Sequence, residues 1–418
     1  MLNITENSAL LETVRYMHTE LKLCGKPKNA LLPISDGLLL YVLSLLRDEK
    51  PVLPDASRTE WNKFISVLMP HKILPLLYWK IKHLTPELRP PKEITNQMLQ
   101  RFLMSSHLSL KIEKQLGEII ETFDRDGISI RVLKGPALAR IVYPSPATRP
   151  SGDIDILVCP EQMIQARETL SGMGYKCLEK RFETFRDFHC DEEFVHIKDP
   201  KNNIRVEIHW ALNMFSNIKW KIDINEIASR SVEVETPDLS FKTLHPADNL
   251  IHAALHMLIR HPQDIRLIWI HDCAVLARYL TLTNGWKMLI ESNKDREVCI
   301  ILKKALKMAQ IWYNLKVPPE FNNLILPSET SGQTNLAWSD PIKWVNNQIL
   351  VFPSKLLFSD DLSLFNKVQR FFHIIFPHPD TIRMKYPPSH RWLLPFSYIR
   401  RWWNWFTKLI SCTNEMRI

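Results

Sequence analysis

Apolar residues recur along the chain with two different periods, and the switch between them divides it. From about residue 8 to 104 the spacing is helical. "SDGLLLYVLSLL" offers Ser35 or Asp36 as a helix cap, and "WNKFISVLMPHKILPLLYWKIKHL" keeps its apolar residues at helical spacing. A long amphipathic helix follows in "LKIEKQLGEIIETF", where Leu116, Ile119, Ile120 and Phe123 form one stripe; the turn signal "DRDG" ends it.

The period then becomes two. "ISIRVL" alternates Ile128, Ile130 and Val132 as a half-buried strand does. Gly135 ends that strand, and Pro136 suits the first turn of a short helix. "RPSGDIDILV" predicts a second strand and a helix is expected from about Glu161 to Met173. "GYKCLEKRF" and a polar interval then precede a third strand, "NIRVEIHWAL". From His245 the helical period returns in "HPADNLIHAALHMLIRH", "IRLIWIHDCAVLARYL" and "REVCIILKKALKMAQIWY". Pro318 and Pro319 open an interval, "PSETSGQTN", that reads as a surface loop or linker, and no internal repeat interrupts the series. The expected class is α+β: a small mixed-sheet core embedded in mostly helical N- and C-terminal regions. The expected divisions are 1–104 (helical), 105–240 (α/β core), 241–325 (a helical substrate or cap domain) and 326–418 (a proline-rich, basic and aromatic tail).

Composition changes this picture only modestly. A hydrophobic fraction of 45% with 24% charged residues describes a globular protein. Seven scattered cysteines without a CxxC pair suggest neither a disulfide framework nor a zinc knuckle. Cytoplasmic location is the expectation, since the N-terminus lacks a basic-then-apolar leader and the run from Gly37 to Leu46 is too short to span a bilayer. A net charge of +9 suits an anionic ligand without choosing one.

The chemistry gathers where the period is two. Alternate strand residues lie about 6.6 Å apart on one face, so Asp153 and Asp155 share a face while Ile154, Ile156 and Val158 pack behind. Carboxylates this close repel unless a cation neutralises both. Hard divalent ions such as Mg²⁺ are commonly held by one or two carboxylates together with substrate phosphates. Glu207, between Val206 and Ile208, offers a third acid with the same alternation. Three such acids can hold two ions and clamp an in-line phosphoryl displacement. Five of the ten glycines (127, 135, 152, 172 and 174) fall in this segment, where backbone must turn tightly or approach a ligand. An isolated D-x-D would read as edge charge; the strand–KG–helix before it and the acid-bearing strand after it argue otherwise.

This order of elements resembles the DNA polymerase β-like nucleotidyltransferase superfamily. "LKGPALARIVYPSPATRPSGDIDILV", "MGY", "VEIHW", "IHAALHMLIRH" and "LIWIHDCAVLA" more closely resemble the bacterial uncharacterised nucleotidyltransferase family, over residues from about 35 to 400. Genes of that family tend to lie in peptide-modification and polysaccharide biosynthetic clusters. The resemblance implies Asp153, Asp155 and Glu207 as catalytic and metal-binding acids, with Mg²⁺ or Mn²⁺ as cofactor. It implies nucleotide binding at Gly135 and the glycine ahead of the acids, Gly152. Gly135-Pro136 departs from the Gly-Ser or Gly-Gly of the superfamily's turn, and Lys134 and Arg149 are the expected substitutes for the lost phosphate contacts. The implied reaction moves a nucleoside monophosphate from an NTP, ATP first among them, to an unidentified small-molecule, peptide or sugar acceptor, releasing pyrophosphate. The alternative is an inactive module that binds nucleotide or a partner.

His209 shares the face of Glu207 and either orients the site or is a structural histidine. His252 and His256 have an i, i+4 spacing that can bind zinc, without a third ligand or the glutamate of the metalloprotease pattern. Asp272 fits a helix-pinning role better than that of a base for the acceptor. Arg260 and Arg266 could reach an anion, although exposed arginines seldom do. The terminal "YIRRWWNWFTKLI" reads first as a helix packing its tryptophans on the body, with weak contact to a membrane surface as the second option. Nucleic acid is not the expected partner, despite ten Lys or Arg against four Asp or Glu from Lys355 onwards.

Overall fold

The computed structural model describes residues 32–185, 189–199, 204–212, 224–237, 239–261, 264–292, 296–323, 375–376, 382 and 393–403. The N-terminal helical stretch before residue 32, the "PSETSGQTN" linker and the aromatic tail beyond residue 403 lie outside the described residues. Among the described residues four helices come first: α1 (Asp36–Leu46), α2 (Arg58–Leu68), α3 (Leu74–Ile81) and α4 (Lys92–Arg125). The period-two segment gives β1 (Ile130–Leu133), α5 (Lys134–Ile141), β2 (Asp153–Val158), α6 (Met163–Gly172), β3 (Tyr175–Cys177), α7 (Phe182–Phe185), β4 (Asp191–His196), β5 (Arg205–His209), α8 (Ile224–Ser229), β6 (Val232–Glu235) and β7 (Ser240–Thr243). Then come α9 (Pro246–Leu255), α10 (Leu267–Leu282), α11 (Trp286–Ser292), α12 (Arg296–Tyr313) and α13 (Pro319–Asn323).

The strands form one seven-stranded mixed sheet in the order β3-β4-β5-β2-β1-β7-β6, as the α+β expectation requires. β2 runs parallel to β5 and β1 parallel to β7, while the other neighbours are antiparallel. On one face Ile130, Val132, Ile154, Ile156, Val206, Ile208 and Phe194 bury against Ile112, Leu116, Ile119 and Phe123 of α4 and Met163, Ala166 and Leu170 of α6. The alternation that predicted the strands is thus the alternation that fills this core. Gln115, in mid-α4, donates to the carbonyl of Ile204 at 2.7 Å and accepts from its amide at 2.8 Å, fixing the start of β5. A larger apolar cluster joins α1–α3 and the first turns of α4 to α9–α13, and takes in Leu138 and Tyr143 beside β1.

The stretch 61–84, expected to be helical, forms parts of two helices. It breaks after Met69, and Lys72 adopts φ 54°, a left-handed conformation that only glycine enters freely. His71 locks this break onto α10: its Nδ1 accepts from the amide of Leu267 at 3.3 Å and its carbonyl from that of Ile268, also at 3.3 Å. The loop between α2 and α3 therefore caps α10, satisfying donors that a helix start leaves unpaired. At the other end of the described chain, Trp402 Nε1 donates to the carbonyl of Ile375 at 2.7 Å and its ring packs edge-on against Phe376. Among the described residues no helix is long and apolar enough to cross a membrane.

Candidate active site

The register of β2 and β5 sets Asp155 opposite Glu207, Asp153 opposite Arg205 and Leu157 opposite His209. On the far side of β5, Glu193 lies opposite Glu207 and Asp191 opposite His209. Strand alternation therefore gathers five acids and a histidine on the face away from α4 and α6.

Lys134 closes this face. It is the first residue of α5, directly after β1, and its backbone is left-handed at φ 46°. Its Nζ donates to Asp155 Oδ1 at 2.6 Å, and His209 Nε2 lies 2.9 Å from the same oxygen and 3.6 Å from Glu207 Oε2. Burial pushes the Asp155 carboxyl up, but Lys134 and the hydrogen bond from His209 outweigh it and hold the group well below the usual carboxylate range. Burial also opposes the charge on Lys134, and Asp155 more than restores it. Burial and Lys134 would strip His209 of its proton, yet its bonds to Asp155, Cys190 and Glu207 hold its pKa well above the histidine norm. Glu207 moves the other way: burial, with the neighbouring Asp155 charge, raises its pKa further than His209 and Lys134 lower it. The ligand atoms of Asp155, Glu207 and His209 lie within 4.8 Å of one another, a donor set able to hold a metal ion.

Asp153 stands apart from that set. It begins β2 half-buried, with Ser151 Oγ 3.4 Å from its Oδ1. The charges of Lys72, Arg149 and Arg205 surround this end of the strand. Gly135 lies beneath: a β-carbon there would come 2.1 Å from Ser151 Oγ and 3.3 Å from Arg149 Nη1, so the turn admits no side chain. Gly152, by contrast, is exposed, and an added β-carbon would meet nothing within 4 Å.

Arg149 and Asp272 form a buried fork. Arg149 Nε and Nη2 donate to the two carboxylate oxygens of Asp272 at 3.0 and 2.8 Å, and Tyr143 donates to Oδ1 at 2.6 Å. Asp272 thus ties α10 to the chain leading into β2, and the remaining nitrogen of Arg149 faces the Gly135 turn.

Reading the sequence missed three participants and set a fourth, Arg260, aside as an exposed arginine. Asp191, in the segment passed over as a polar interval, binds Arg260 Nη2 at 2.5 Å and Arg181 Nη1 at 3.2 Å. Arg260 ends a π-turn (His256–Arg260) that extends α9, and also lies 3.7 Å from Glu207. Such one-turn widenings recur at functional sites. Cys190 places its sulfur 4.0 Å from His209 Nδ1. Cys190, Asp191 and His209 form a second group of potential metal donors. The last of the three missed is Ser151. The period-two alternation of "DEEFVH" could have exposed Asp191 and Glu193. His252 packs its ring 6.5 Å from that of His209, and burial together with Lys134 keeps its pKa well below the histidine norm. Neither His252 nor His256 joins a metal-donor group among the described residues.

No curated protein matches the chain. The family described as uncharacterised nucleotidyltransferase does, across residues 57–314. That span runs from the start of α2 to the end of α12 and contains every side chain of the acid-bearing face. The chain accordingly belongs to the uncharacterised nucleotidyltransferase family.

Proposed function

We propose that the protein transfers a nucleoside monophosphate from an NTP to a hydroxyl, phosphate or similar acceptor and releases pyrophosphate. Family membership supports nucleotidyl transfer as the general activity. The observation that carries the finer reading is the register of Asp155 with Glu207, which converges two carboxylates and His209 on one half-enclosed face. Nucleotidyltransferases usually employ divalent metals, and Asp155, Glu207 and His209 fit one, with Asp153 on the substrate side of the same strand. Mg²⁺ or Mn²⁺ bound there would polarise the reacting phosphate and offset the charge that develops on it. Lys134 and His209 both bond Asp155 Oδ1, so an ion held by that carboxylate would share it with them or use its other oxygen, and His209 would ligate only as the neutral imidazole. Lys134 would supply a cation to the phosphates from the same face. Glu207, opposite Asp155 across the strand pair, would accept the proton of the acceptor hydroxyl.

The full chain is incubated with each α-labelled NTP, Mg²⁺ or Mn²⁺, and an extract of its native host. Label should move to an acceptor with release of pyrophosphate, and Asp155→Asn should reduce the rate by about a hundredfold or more. Equal labelling by Asp155→Asn would defeat the reading. Nucleotide binding without turnover would instead identify a binding module.

A further inference from the structure

A second set of donors lies across β5 from the acids of β2. Cys190 directly precedes β4, Asp191 begins it, and Asp191 pairs across the ladder with His209 of β5. The amide of Trp210 donates to the Cys190 carbonyl at 2.9 Å, so hydrogen-bonded strand backbone holds all three donors in place. Cys190 Sγ lies 3.9 Å from Asp191 Oδ2 and 4.0 Å from His209 Nδ1, and the ligand atoms of the group all fall within 4.8 Å of one another. Tetrahedral zinc, with bonds of about 2.3 Å to sulfur and about 2.1 Å to nitrogen or oxygen, would set the sulfur about 3.6 Å from the other two donors. Closing the set around such an ion takes a movement of only about 0.4 Å.

The orientation of His209 favours a metal on this side of its ring. Its Nε2 lies 2.9 Å from Asp155 Oδ1, and an ionised carboxylate can only accept, so Nε2 carries the hydrogen. The other ring nitrogen, Nδ1, is turned to Cys190. A metal-bound histidine characteristically donates its remaining N–H to a carboxylate, which is the part Asp155 plays here. Cys190, Asp191 and His209 are 2%, 3% and 1% exposed, so water would compete little for the ion. Arg181 and Arg260 bond the two Asp191 oxygens, each of which keeps a further lone pair. Arg260 Nη1, 3.9 Å from the sulfur, favours the thiolate that a metal needs.

Cys190 also lines a cavity of about 20 Å³ together with His252, His256 and Arg260, which is room for about one water. His252 is 4% exposed and makes no hydrogen bond among the described residues, so a polar occupant would satisfy it. His256 and Arg260 are only partly buried, which gives an ion a way in.

We propose that Cys190 Sγ, the Asp191 carboxylate and His209 Nδ1 bind one thiophilic divalent ion of the zinc class, with a water in the cavity as its fourth ligand and His252 as that water's partner. A thiolate and an imidazole select such an ion over Mg²⁺, which prefers oxygen. His209 then serves this ion, and an ion for nucleotidyl transfer rests on carboxylate oxygens. The site does not depend on the transfer reading.

The test strips the full chain of metal with a chelator, then titrates it with Co²⁺ and afterwards Zn²⁺ in excess Mg²⁺. A thiolate-to-cobalt charge-transfer absorption should saturate near one equivalent, and Zn²⁺ should abolish it. Cys190→Ser should lose that absorption and bind Zn²⁺ at least about tenfold more weakly, since even the loss of a supporting partner costs that much. Cys159→Ser, at a free cysteine outside the set, should match wild type. X-ray absorption of the zinc-loaded wild type, which needs no variant to fold, should show one sulfur at about 2.3 Å beside nitrogen and oxygen ligands. No binding of Co²⁺ or Zn²⁺ by wild type, a zinc shell without sulfur, or a cobalt absorption that survives in folded Cys190→Ser would each overturn the site and leave the transfer reading standing. Failure to turn over any NTP, with the cobalt absorption intact, would instead count against transfer alone.

Discussion

The fork between Arg149 and Asp272 allows an unusually direct test of how the sheet is fastened to the helices. Both side chains are nearly sealed from solvent, 8% and 3% exposed, so water screens little of their interaction. Arg149→Met leaves Asp272 buried with only the Tyr143 hydroxyl against it, and Asp272→Leu leaves a buried guanidinium and an unmatched phenol. Removing one partner of a buried pair costs about 3–5 kcal/mol, because the surviving charge is stranded. Removing both leaves no stranded charge, so Arg149→Met/Asp272→Leu should fall within about 2 kcal/mol of wild type. The coupling between the two sites is therefore at least about 4 kcal/mol, whereas independent sites add. At roughly 2 °C per kcal/mol, each single variant should melt about 6–10 °C below wild type in a thermal scan, and the double variant within about 4 °C of wild type. Two singles that each shift the melt by under 2 °C, or a double that shows their plain sum, would refute the stranded-charge account.

Gly135→Ala should destabilise by about 1–3 kcal/mol through overpacking, since its β-carbon would sit 2.1 Å from Ser151 Oγ and 2.7 Å from Ser151 Cβ. Adding Ser151→Gly should restore the melting temperature. The pH dependence follows from His271, packed between the rings of Tyr143 and Tyr313 with its Nδ1 unbonded. Burial holds its pKa well below the usual 6.5, so on acidification the unfolded chain takes up a proton that the native state refuses. Stability should therefore fall as pH drops below about 6.5, by up to about 1.4 kcal/mol per pH unit for this one group. His271→Phe should flatten urea-unfolding stability against pH by about one proton; an unchanged slope would remove His271 as the cause.

The parts of the fold that were legible are those in which one face of an element is apolar. β1, β2, β5, α9, α10 and α12 all carry clean periodicity and all appear. β4 did not announce itself because Glu192 is on its apolar face. That acid is fully buried and neutralised by Arg167 of α6, at 2.8 Å, and takes two backbone amides, from Arg181 and Phe182. A charge matched from a different element leaves no trace in local patterning. β3, β6 and β7 are only three or four residues long, too short for a period to register. At the site, Asp155, Glu207 and His209 could be placed on one face from the sequence, because strand alternation decides it; Lys134 reaches that face only through its left-handed turn at the start of α5. Asp191 was hidden among the charges of its strand, and Arg260 read as an exposed arginine because its arrival depends on a π-turn. Asp272 was legible in its helix-pinning role, although nothing in the sequence identified Arg149 as its partner.

The longest helix has a consequence for any attempt to divide this protein. Over its 34 residues, α4 reaches about 50 Å at 1.5 Å per residue. Ile94 and Met98 near its start are sealed in the helical cluster, and Ile112 to Phe123 near its end lie beneath the sheet. A single rod thus serves as a beam shared by two interiors. Cutting the chain on either side of it would lay one greasy half of the beam open to water. Neither fragment should be recoverable alone in a folded form, so heat should melt the two interiors together.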